Sequence, residues 1–453
     1  MASVRFSCVP EITSRVRIGG PGEHQVLIGR LRDSGRNNNN VYFDADNNFV
    51  VLEVGKRGSG KSFGMGAALE AFATAADTCS LATHGPDRRG VLLLDPLDIH
   101  WTAIYPVQDG VSRHMKEQHK LLARWPDVAV EPIQVNVYMP AGRAQAEDPP
   151  AFVPFQIPVT DLTPEDWGML YGANIISDPA GMLLWELYEK VTRLGYEIGD
   201  NHVAPKGVYG LADLIACLDD HDIQASYSSQ TVRAVRQRLR TWHGDPLFQS
   251  DTGTAVTDLV KAGQLSILCL NRLSEDMRSV ITGVLVRKIK AARSRSSQSE
   301  RRQAYDPAAG AAAFPVMPRT ILAIDEAQMI LPSSGGGPAR AAIESYILEG
   351  RNFGLSIWMA TQIPRGAISQ KAIKQLDSLI VHRLSNADDI NAVQDLIQSG
   401  LPQKIKVNDR EVDLGELIRS LEVGTAFVSS DSVERAFVMD VRPRVVAHGG
   451  KAF

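Results

Sequence analysis

Short, unbroken runs of apolar residues recur along the chain and alternate with longer amphipathic stretches. The runs are Phe49–Val54, Val91–Leu94, Leu265–Leu270, Thr320–Ile324, Ser356–Thr361 and Leu379–Arg383. Runs this short, without polar alternation, predict strands that are buried on both faces, as in a parallel sheet. Since helical patterns lie between them, the sequence predicts an α/β fold with a mostly parallel sheet and helices on both sides.

The pattern changes along the chain and predicts five segments. Residues 1–48 carry short apolar patches and are expected to form a short N-terminal β segment. Residues 49–150 and 261–440 carry the strands and helices of the core, residues 151–260 form a helical insertion, and residues 441–453 are a C-terminal tail. Within the second part of the core, an amphipathic helix begins after Ser274 and extends to about Arg293. The stretch from Ser294 to Phe314 lacks apolar periodicity and is predicted to be a mobile loop.

Composition and charge limit the class of protein. The 453 residues are 44% hydrophobic and 22% charged, which is ordinary for a soluble globular protein. The formal net charge of −4 means that any binding of nucleic acid must come from local basic patches. The four cysteines are too sparse for a disulfide framework, and we find no signal peptide and no apolar run of ~18 residues. We therefore expect a soluble, cytoplasmic protein without a membrane segment.

A glycine-rich loop of the GxxxxGK[ST] type follows the first strand of the core and precedes a helix. In this context backbone N–H groups curl around phosphates, and the helix adds its positive end. Lys61 is expected to reach the β- and γ-phosphates of ATP, and the Ser62 hydroxyl is expected to bind Mg²⁺. The predicted nucleotide-binding residues are Gly55, Arg57, Gly58, Ser59, Gly60, Lys61, Ser62 and Phe63.

The remaining parts of a nucleotide site are predicted at the ends of other strands. Asp325 follows the run TILAI and is the expected metal-side carboxylate, and Glu326 is the expected general base or water-orienting residue. Gln362 ends the run SIWMATQ and is placed to sense the γ-phosphate. Asp95 ends the strand at Leu94, where it either joins the site through a water or caps a turn.

Several motifs, taken in order along the chain, resemble the HerA branch of the HerA/FtsK ring ATPases. They are GKRGSGKS, LLLDP, AIDEAQ, EGRNFG, ATQ and HRLSN, and the C-terminal VRPRVVAHGG is also similar to the ends of such proteins. The resemblance implies a RecA-like P-loop NTPase core that uses ATP and Mg²⁺. It also implies a head-to-tail ring, in this family a hexamer, that moves double-stranded DNA and often works beside a nuclease or another effector protein.

The resemblance assigns catalytic roles as well. It implies that Lys61, Glu326 and Gln362 act on the nucleotide, and that Arg351 is an arginine finger reaching the neighbouring subunit's site. The alternative is that Arg351 only pairs with a surface carboxylate. Arg383 is a second candidate for the finger.

The most basic stretch of the chain runs from Arg287 to Arg302, where seven basic residues stand against one acid. We expect it to contact DNA phosphates without reading bases, through the residues Arg293, Arg295, Arg301 and Arg302. Basic residues at a helix end also occur without any ligand, and this alternative stays open. The arginines Arg233, Arg236 and Arg240 in the insertion are expected to form a solvated helix face.

The sequence supports more than one function. The first hypothesis is an ATP-driven ring translocase or helicase that supplies force to a nuclease or effector in DNA processing or antiviral defence. The second is an ATP-dependent ring scaffold that gates a bound effector without moving DNA. A third, a conjugation or packaging motor, would usually bring membrane helices or nuclease domains, which we do not find in the sequence.

Overall fold

The computed structural model describes most of the chain and contains both strands and helices. The described residues are 15–20, 22–32, 39–110, 112–249, 253–306, 308, 310–331, 337–365, 370–397, 404–407, 410–430 and 435–450. In chain order the strands are β1 Arg15–Ile18, β2 Gln25–Leu31, β3 Asn40–Asp44, β4 Val50–Val54, β5 Ala82–Thr83, β6 Gly90–Asp95, β7 Val135–Pro140, β8 Val153–Phe155, β9 Ile157–Pro158, β10 Tyr196–Ile198, β11 Asn201–Val203, β12 Phe248–Gln249, β13 Leu265–Cys269, β14 Thr320–Ile324, β15 Leu355–Thr361, β16 Ser378–Val381, β17 Lys404–Val407, β18 Arg410–Asp413, β19 Thr425–Ser430 and β20 Arg435–Val441. The helices are α1 Lys61–Phe72, α2 Arg113–Leu122, α3 Pro164–Tyr171, α4 Pro179–Glu189, α5 Leu211–Cys217, α6 His221–Ser226, α7 Ser229–His243, α8 Val256–Leu259, α9 Glu275–Tyr305, α10 Pro338–Glu349, α11 Gln370–Ile373, α12 Ala387–Leu396 and α13 Leu414–Ser420.

One large sheet runs through the molecule. Its strand order is β1-β3-β2-β20-β19-β16-β4-β15-β14-β6-β13-β7-β8, and β5 pairs with β2. The eight strands from β16 to β8 run parallel to one another, whereas the pairs β16–β19, β19–β20 and β20–β2 are antiparallel. The predicted α/β fold with a mostly parallel sheet is therefore confirmed.

The central strands are buried on both faces because helices cover both sides of the sheet. Along β4, Val50 and Leu52 belong to a core shared with the helical insertion, α9 and α10, while Val51 faces a second core against α1. Every residue of β4, β6, β14 and β15 is buried. Apolar side chains on both faces of each strand explain why the sequence shows no alternation there.

An N-terminal strand and the last strand of the described chain are neighbours in the sheet. β2 pairs with β20, so the N-terminal strands extend the sheet of the core. Behind β20, a buried ion cluster fixes the C-terminal segment to α1, because Glu70 accepts hydrogen bonds from Arg442 and from Arg444. None of these three side chains is more than 1% exposed.

The predicted mobile loop at 294–314 is wrong over its first half, because α9 continues to Tyr305. Polar helix formers such as Arg and Gln sustain the helix without an apolar stripe. Tertiary contacts add support: Ser296 accepts a hydrogen bond from the backbone N–H of Met317, and Arg293 pairs with Glu300 at 2.6 Å. The cap at Ser274 is observed as predicted, since its hydroxyl accepts from the N–H of Met277.

Residues 151–260 contain the helices α3 to α8, the strand pairs β10–β11 and β9–β12, and strand β8, which pairs with β7 of the large sheet. Their buried side chains join the core that lies beside α9. Among the described residues, no helix combines the length and the apolar character needed to cross a membrane.

Candidate functional site

The glycine loop joins the carboxyl end of β4 to the first turn of α1. Gly58 and Gly60 have positive φ angles of 75° and 100°, a conformation that favours glycine, and Gly60 is the N-terminal cap of α1. Helix α1 then begins at Lys61. Backbone N–H groups at the start of a helix lack partners within it, so this turn can bind an anion.

Lys61 lies at the centre of a buried group of charges. Its Nζ is 2.9 Å from Glu326 Oε1 and 3.3 Å from Asp325 Oδ1, and it is 3.4 Å from Ser62 Oγ. Burial lowers the pKa of Lys61, but the two carboxylates outweigh it, so its pKa lies above the ordinary value. The structure thus brings together four of the residues that the sequence proposed for this site.

Glu326 sits on a strained turn at the end of β14. Its φ of 45° is left-handed, an uncommon conformation for a residue with a side chain that costs on the order of 1 kcal/mol or more. The Gln362 amide donates to Glu326 Oε1 at 2.8 Å, and the Gln328 amide donates to Oε2 at 2.5 Å. Both carboxylate oxygens of Glu326 are therefore held in place.

Gln328 was not predicted from the sequence. Its Oε1 accepts from the Thr361 hydroxyl at 2.8 Å, so it joins Glu326 to the tip of β15. The signal available was its place two residues after Glu326 in the motif AIDEAQ. That spacing alone does not show that the side chain turns back to the carboxylate.

His100 is a second residue of the site that was not predicted. Its Nε2 lies 3.0 Å from Asp325 Oδ2, and both side chains are almost fully buried. Burial raises the pKa of Asp325, but Lys61 and His100 outweigh it and hold that pKa well below the usual range. Asp95 caps the turn that carries His100, since its carboxylate accepts from the N–H groups of Leu97, Ile99 and His100.

The C-terminal segment also approaches the site. The ring of His448 packs edge to face on Phe63 and on His100, with centroid distances of 5.5 and 5.8 Å. The Gln118 side chain bonds to both the N–H and the carbonyl of His448. Burial, followed by the charge of Arg444, lowers the pKa of His448 well below its ordinary value.

These features fit a nucleotide with Mg²⁺. The loop can approach phosphates without a Cβ at Gly58 or Gly60, and Lys61 is held in its cationic form at the mouth of α1. Ser62 is half-buried beside the buried, ionised Asp325. No group of three or more metal-ligating acids, histidines or cysteines occurs in the described part of the chain. Mg²⁺ needs no such cage, because it keeps waters and takes phosphate oxygens as ligands.

Arg351 lies at the opposite edge of the sheet from the glycine loop. It precedes β15, and Gln362 follows β15, which separates them by about 20 Å at the rise of a strand. Arg351 Nη2 is 2.5 Å from Asp377 Oδ2 and donates to the Gln375 carbonyl at 2.8 Å. It therefore lies too far from the glycine loop of its own chain to contact a nucleotide bound there.

Arg383 lies close to the glycine loop, since its carbonyl accepts from the N–H of Lys56 at 3.2 Å. Arg57 and Gly58 are exposed at the tip of this loop. Ser59 and Gly55 are buried at its base.

Ion pairs neutralise much of the basic segment, three with acids from distant parts of the chain and one with Glu300 of the segment itself. Four of its seven basic residues form ion pairs: Arg287 with Asp166, Lys288 with Asp161, Lys290 with Glu349, and Arg293 with Glu300. Arg293 is only 3% exposed and also donates to the Met317 carbonyl. The prediction that Arg293 contacts DNA is therefore corrected. Arg295, Arg301 and Arg302 are exposed on the last turns of α9.

The strand order and the strand-end residues define a RecA-like P-loop α/β protein. One strand, β15, separates the strand of the glycine loop from the strand that ends in Asp325 and Glu326. Gln362 at the tip of β15 consequently lies between the loop and the acids. This arrangement brings all the strand-end side chains to the carboxyl edge of the sheet.

Comparison with solved structures agrees with this class. The chain is similar to VirB4 of Thermoanaerobacter pseudethanolicus with a TM-score of 0.52 and 13% identity, over 93% of this chain and 98% of that one. It also matches the plasmid coupling protein TrwB in complex with ADP and Mg²⁺, with a TM-score of 0.48 and 14% identity, over 96% and 99%. No protein-family model and no curated protein matches the sequence. At this identity, the likeness to VirB4 shows a shared fold.

Proposed function

We propose that the chain is an ATP-hydrolysing DNA translocase of the HerA type that works as a hexameric ring in the cytoplasm. The observation that carries this proposal is the convergence of Lys61, Asp325, Glu326 and Gln362 beside the glycine loop, with Lys61 Nζ 2.9 Å from Glu326 Oε1. A lysine, two acids and an amide around such a loop are the groups that phosphoryl transfer to water requires.

Each side chain then has one task. The loop N–H groups and Lys61 bind the phosphates, and Ser62 and Asp325 hold Mg²⁺, which neutralises phosphate charge when it is bound. Glu326 orients the attacking water and accepts its proton. The two glutamine amides at 2.8 and 2.5 Å keep this carboxylate aligned.

Lys61 also controls Glu326 before nucleotide arrives. In the structure the ammonium occupies one oxygen of Glu326 and is shared with Asp325. A triphosphate carries more negative charge than either acid and draws Lys61 toward the loop. Glu326 is then free to hold water, so hydrolysis depends on correct seating of the phosphates.

Arg351 acts between subunits in this proposal. It lies about 20 Å along β15 from Gln362, so it can serve only the site of a neighbouring copy. A head-to-tail ring places one edge of each subunit against the opposite edge of the next. An arginine finger supplied in this way contributes ~10³ to 10⁵ in rate, and Asp377 holds Arg351 until the neighbour binds nucleotide.

Double-stranded DNA is the proposed substrate of the movement, with contacts from Arg295, Arg301 and Arg302. Replacing these three exposed residues should weaken duplex binding and reduce the slope of log K against log salt by about 2.7, at ~0.9 per phosphate contact. Arg233 and Arg240, exposed on α7, are the matched control. An unchanged salt slope in the triple variant would show that α9 does not contact DNA.

The proposed partner of the ring is a nuclease or another effector protein in DNA processing or antiviral defence.

The decisive experiment measures ATP hydrolysis with and without duplex DNA on protein whose mass in solution is determined in the same buffer. A ring-sized species stimulated by DNA is expected. Glu326→Gln should bind ATP normally and lose at least ~10²-fold in rate. Glu117→Gln, on the exposed side of α2, should leave the rate unchanged. Equal loss of ATP binding in Glu326→Gln would refute the role given to this carboxylate.

One observation favours a second candidate function, a ring scaffold that gates a bound effector in response to ATP. Ion pairs neutralise four of the seven basic residues between 287 and 302, which leaves a small cationic surface for DNA. Displacement of a protein roadblock from duplex DNA separates the two functions. A ring that hydrolyses ATP at the same rate with and without DNA and leaves the roadblock in place would be the scaffold.

A further inference from the structure

A carboxylate is buried in the middle of the sheet, directly before the glycine loop. Glu53 lies in β4 and is 1% exposed. His382 Nε2 lies 2.7 Å from its Oε1, and Trp358 Nε1 donates to its Oε2 at 2.8 Å. A buried acid is costly unless it is paired, and these partners come from the two strands that flank β4. The base of the loop is therefore fastened to β15 and to the end of β16.

Two polar atoms beneath the loop have no hydrogen-bond partner among the described residues: Ser59 Oγ and His382 Nδ1. Both residues are fully buried. They flank the same glycine, since a Cβ at Gly55 would collide with Ser59 Oγ and lie 2.8 Å from His382 Cβ. A Cβ at Gly60 would lie 3.8 Å from His382 Nδ1. The imidazole ring is thus directly under the loop.

The two unpaired atoms are chemically complementary. A carboxylate only accepts, so the hydrogen in the contact with Glu53 belongs to His382 Nε2. Nδ1 of the neutral ring is then an acceptor, and the Ser59 hydroxyl is a donor. One hydrogen bond between them would satisfy both atoms.

We propose that His382 is a positioning residue for the phosphate loop, which closes on nucleotide with the Ser59 hydroxyl donating to His382 Nδ1. This inference rests on the proposed binding of ATP. Without nucleotide both atoms stay buried and unpaired, which disfavours the open loop. In the closed loop the Ser59 hydroxyl and His382 Nδ1 form a hydrogen bond. This bond contributes to nucleotide affinity although neither group contacts the nucleotide. Glu53 fixes the ring in the required tautomer and orientation.

Ser59→Ala tests the proposal because it should move two measurements in opposite directions. It removes an unpaired buried group from the nucleotide-free protein, so the melting temperature should rise by about 1 to 2 °C. It also removes the hydrogen bond from the closed loop, so the dissociation constant for ADP with Mg²⁺ should rise about 5- to 10-fold. Thermal unfolding and titration calorimetry measure these two quantities.

Two further variants separate this contact from general effects. Ser279 on α9 is also a buried serine whose hydroxyl has no hydrogen-bond partner within the described ranges, but it lies beside Gly337. Ser279→Ala should raise the melting temperature similarly and leave ADP affinity unchanged. In His382→Gln, the side-chain amide can still donate to Glu53 as Nε2 does, but no acceptor replaces Nδ1. In that background, Ser59→Ala should change the ADP affinity less than twofold.

The outcomes distinguish this inference from the function on which it rests. Normal ADP binding by the unsubstituted protein, with an unchanged affinity or a lower melting temperature in Ser59→Ala, refutes this inference alone. A full effect of Ser59→Ala in the His382→Gln background also refutes it. Failure of the unsubstituted protein to bind ATP or ADP refutes the proposed function and this inference together.

Discussion

Replacement of Lys61 by alanine is expected to destabilise the nucleotide-free protein as well as to abolish nucleotide binding. Lys61 Nζ lies 2.9 Å from Glu326 and 3.3 Å from Asp325, and the three side chains are 3%, 6% and 0% exposed. With an effective dielectric constant near 20, each contact represents about 5 kcal/mol of Coulomb attraction, which the cost of desolvation largely offsets. Removal of the ammonium leaves two adjacent buried carboxylates compensated only by His100 and by the two glutamine amides. Breaking a buried pair in this way costs about 3 to 5 kcal/mol.

The assay is urea unfolding in the absence of nucleotide, with tryptophan fluorescence as the signal. Lys61→Ala should lower the free energy of unfolding by about 3 to 5 kcal/mol, and the double variant with Glu326→Gln should recover about half, because one unpaired charge is gone. Lys116→Ala, exposed on α2, is the control and should unfold like the unsubstituted protein. A loss below about 1 kcal/mol in Lys61→Ala, or no recovery in the double variant, would refute the reasoning.

Two further predictions concern the C-terminal segment. Glu70→Ala leaves the buried Arg442 and Arg444 without their acid and should lower the free energy of unfolding by about 3 to 5 kcal/mol. The control Glu422→Ala removes an exposed acid and should not shift the melting temperature. Equal melting temperatures for these two variants would contradict the prediction. Burial and Arg444 lower the pKa of His448, so below about pH 6.5 the unfolded chain binds a proton that the folded protein does not, and stability falls as the pH falls. His448→Gln should therefore reduce the acid slope of the unfolding free energy between pH 6.5 and 5 by up to ~1.4 kcal/mol per pH unit, and equal slopes would refute the assignment.

Much of the site was predictable because its parts are local in sequence. An apolar run, a glycine loop and a helix specify the turn at Gly58 and Gly60 without reference to the rest of the chain. Parallel strands bring their carboxyl ends to one edge, so Asp325, Glu326 and Gln362 could be expected near Lys61. The structure shows these four side chains together, and their catalytic roles remain predictions.

The parts that were not predicted depend on contacts between distant segments. His100 reaches Asp325 across 225 positions of sequence, and its signal is only a histidine after an acid-capped turn. The basic stretch loses most of its charge to acids such as Asp166, 121 positions before Arg287. Local charge counts cannot include such partners. They also do not show burial, and for this reason the sequence assigns Arg293 to DNA although its side chain is buried and pairs with Glu300.

The arginine-finger and DNA hypotheses assign neighbouring residues to different ligands, and this makes them testable together. Arg301 Nη2 donates to the carbonyl of Asn352, which directly follows Arg351. If Arg351 faces the next subunit's nucleotide, Arg301 lies at the same boundary between subunits, whereas Arg295 lies about 9 Å back along α9.

Arg301→Ala should then lower ATP hydrolysis both with and without DNA, while Arg295→Ala should lower only the stimulated rate. Arg351→Ala should hydrolyse poorly alone, yet supply an intact site to a neighbour that carries Arg351 but lacks Glu326. Mixed rings of Arg351→Ala and Glu326→Gln subunits measure this directly. Recovery of activity places the amino edge of the sheet against the neighbouring site. Two results together would contradict the arginine finger: mixed rings no more active than either variant alone, and an Arg301→Ala variant that behaves like Arg295→Ala. This edge of the sheet would then be a DNA-contacting surface.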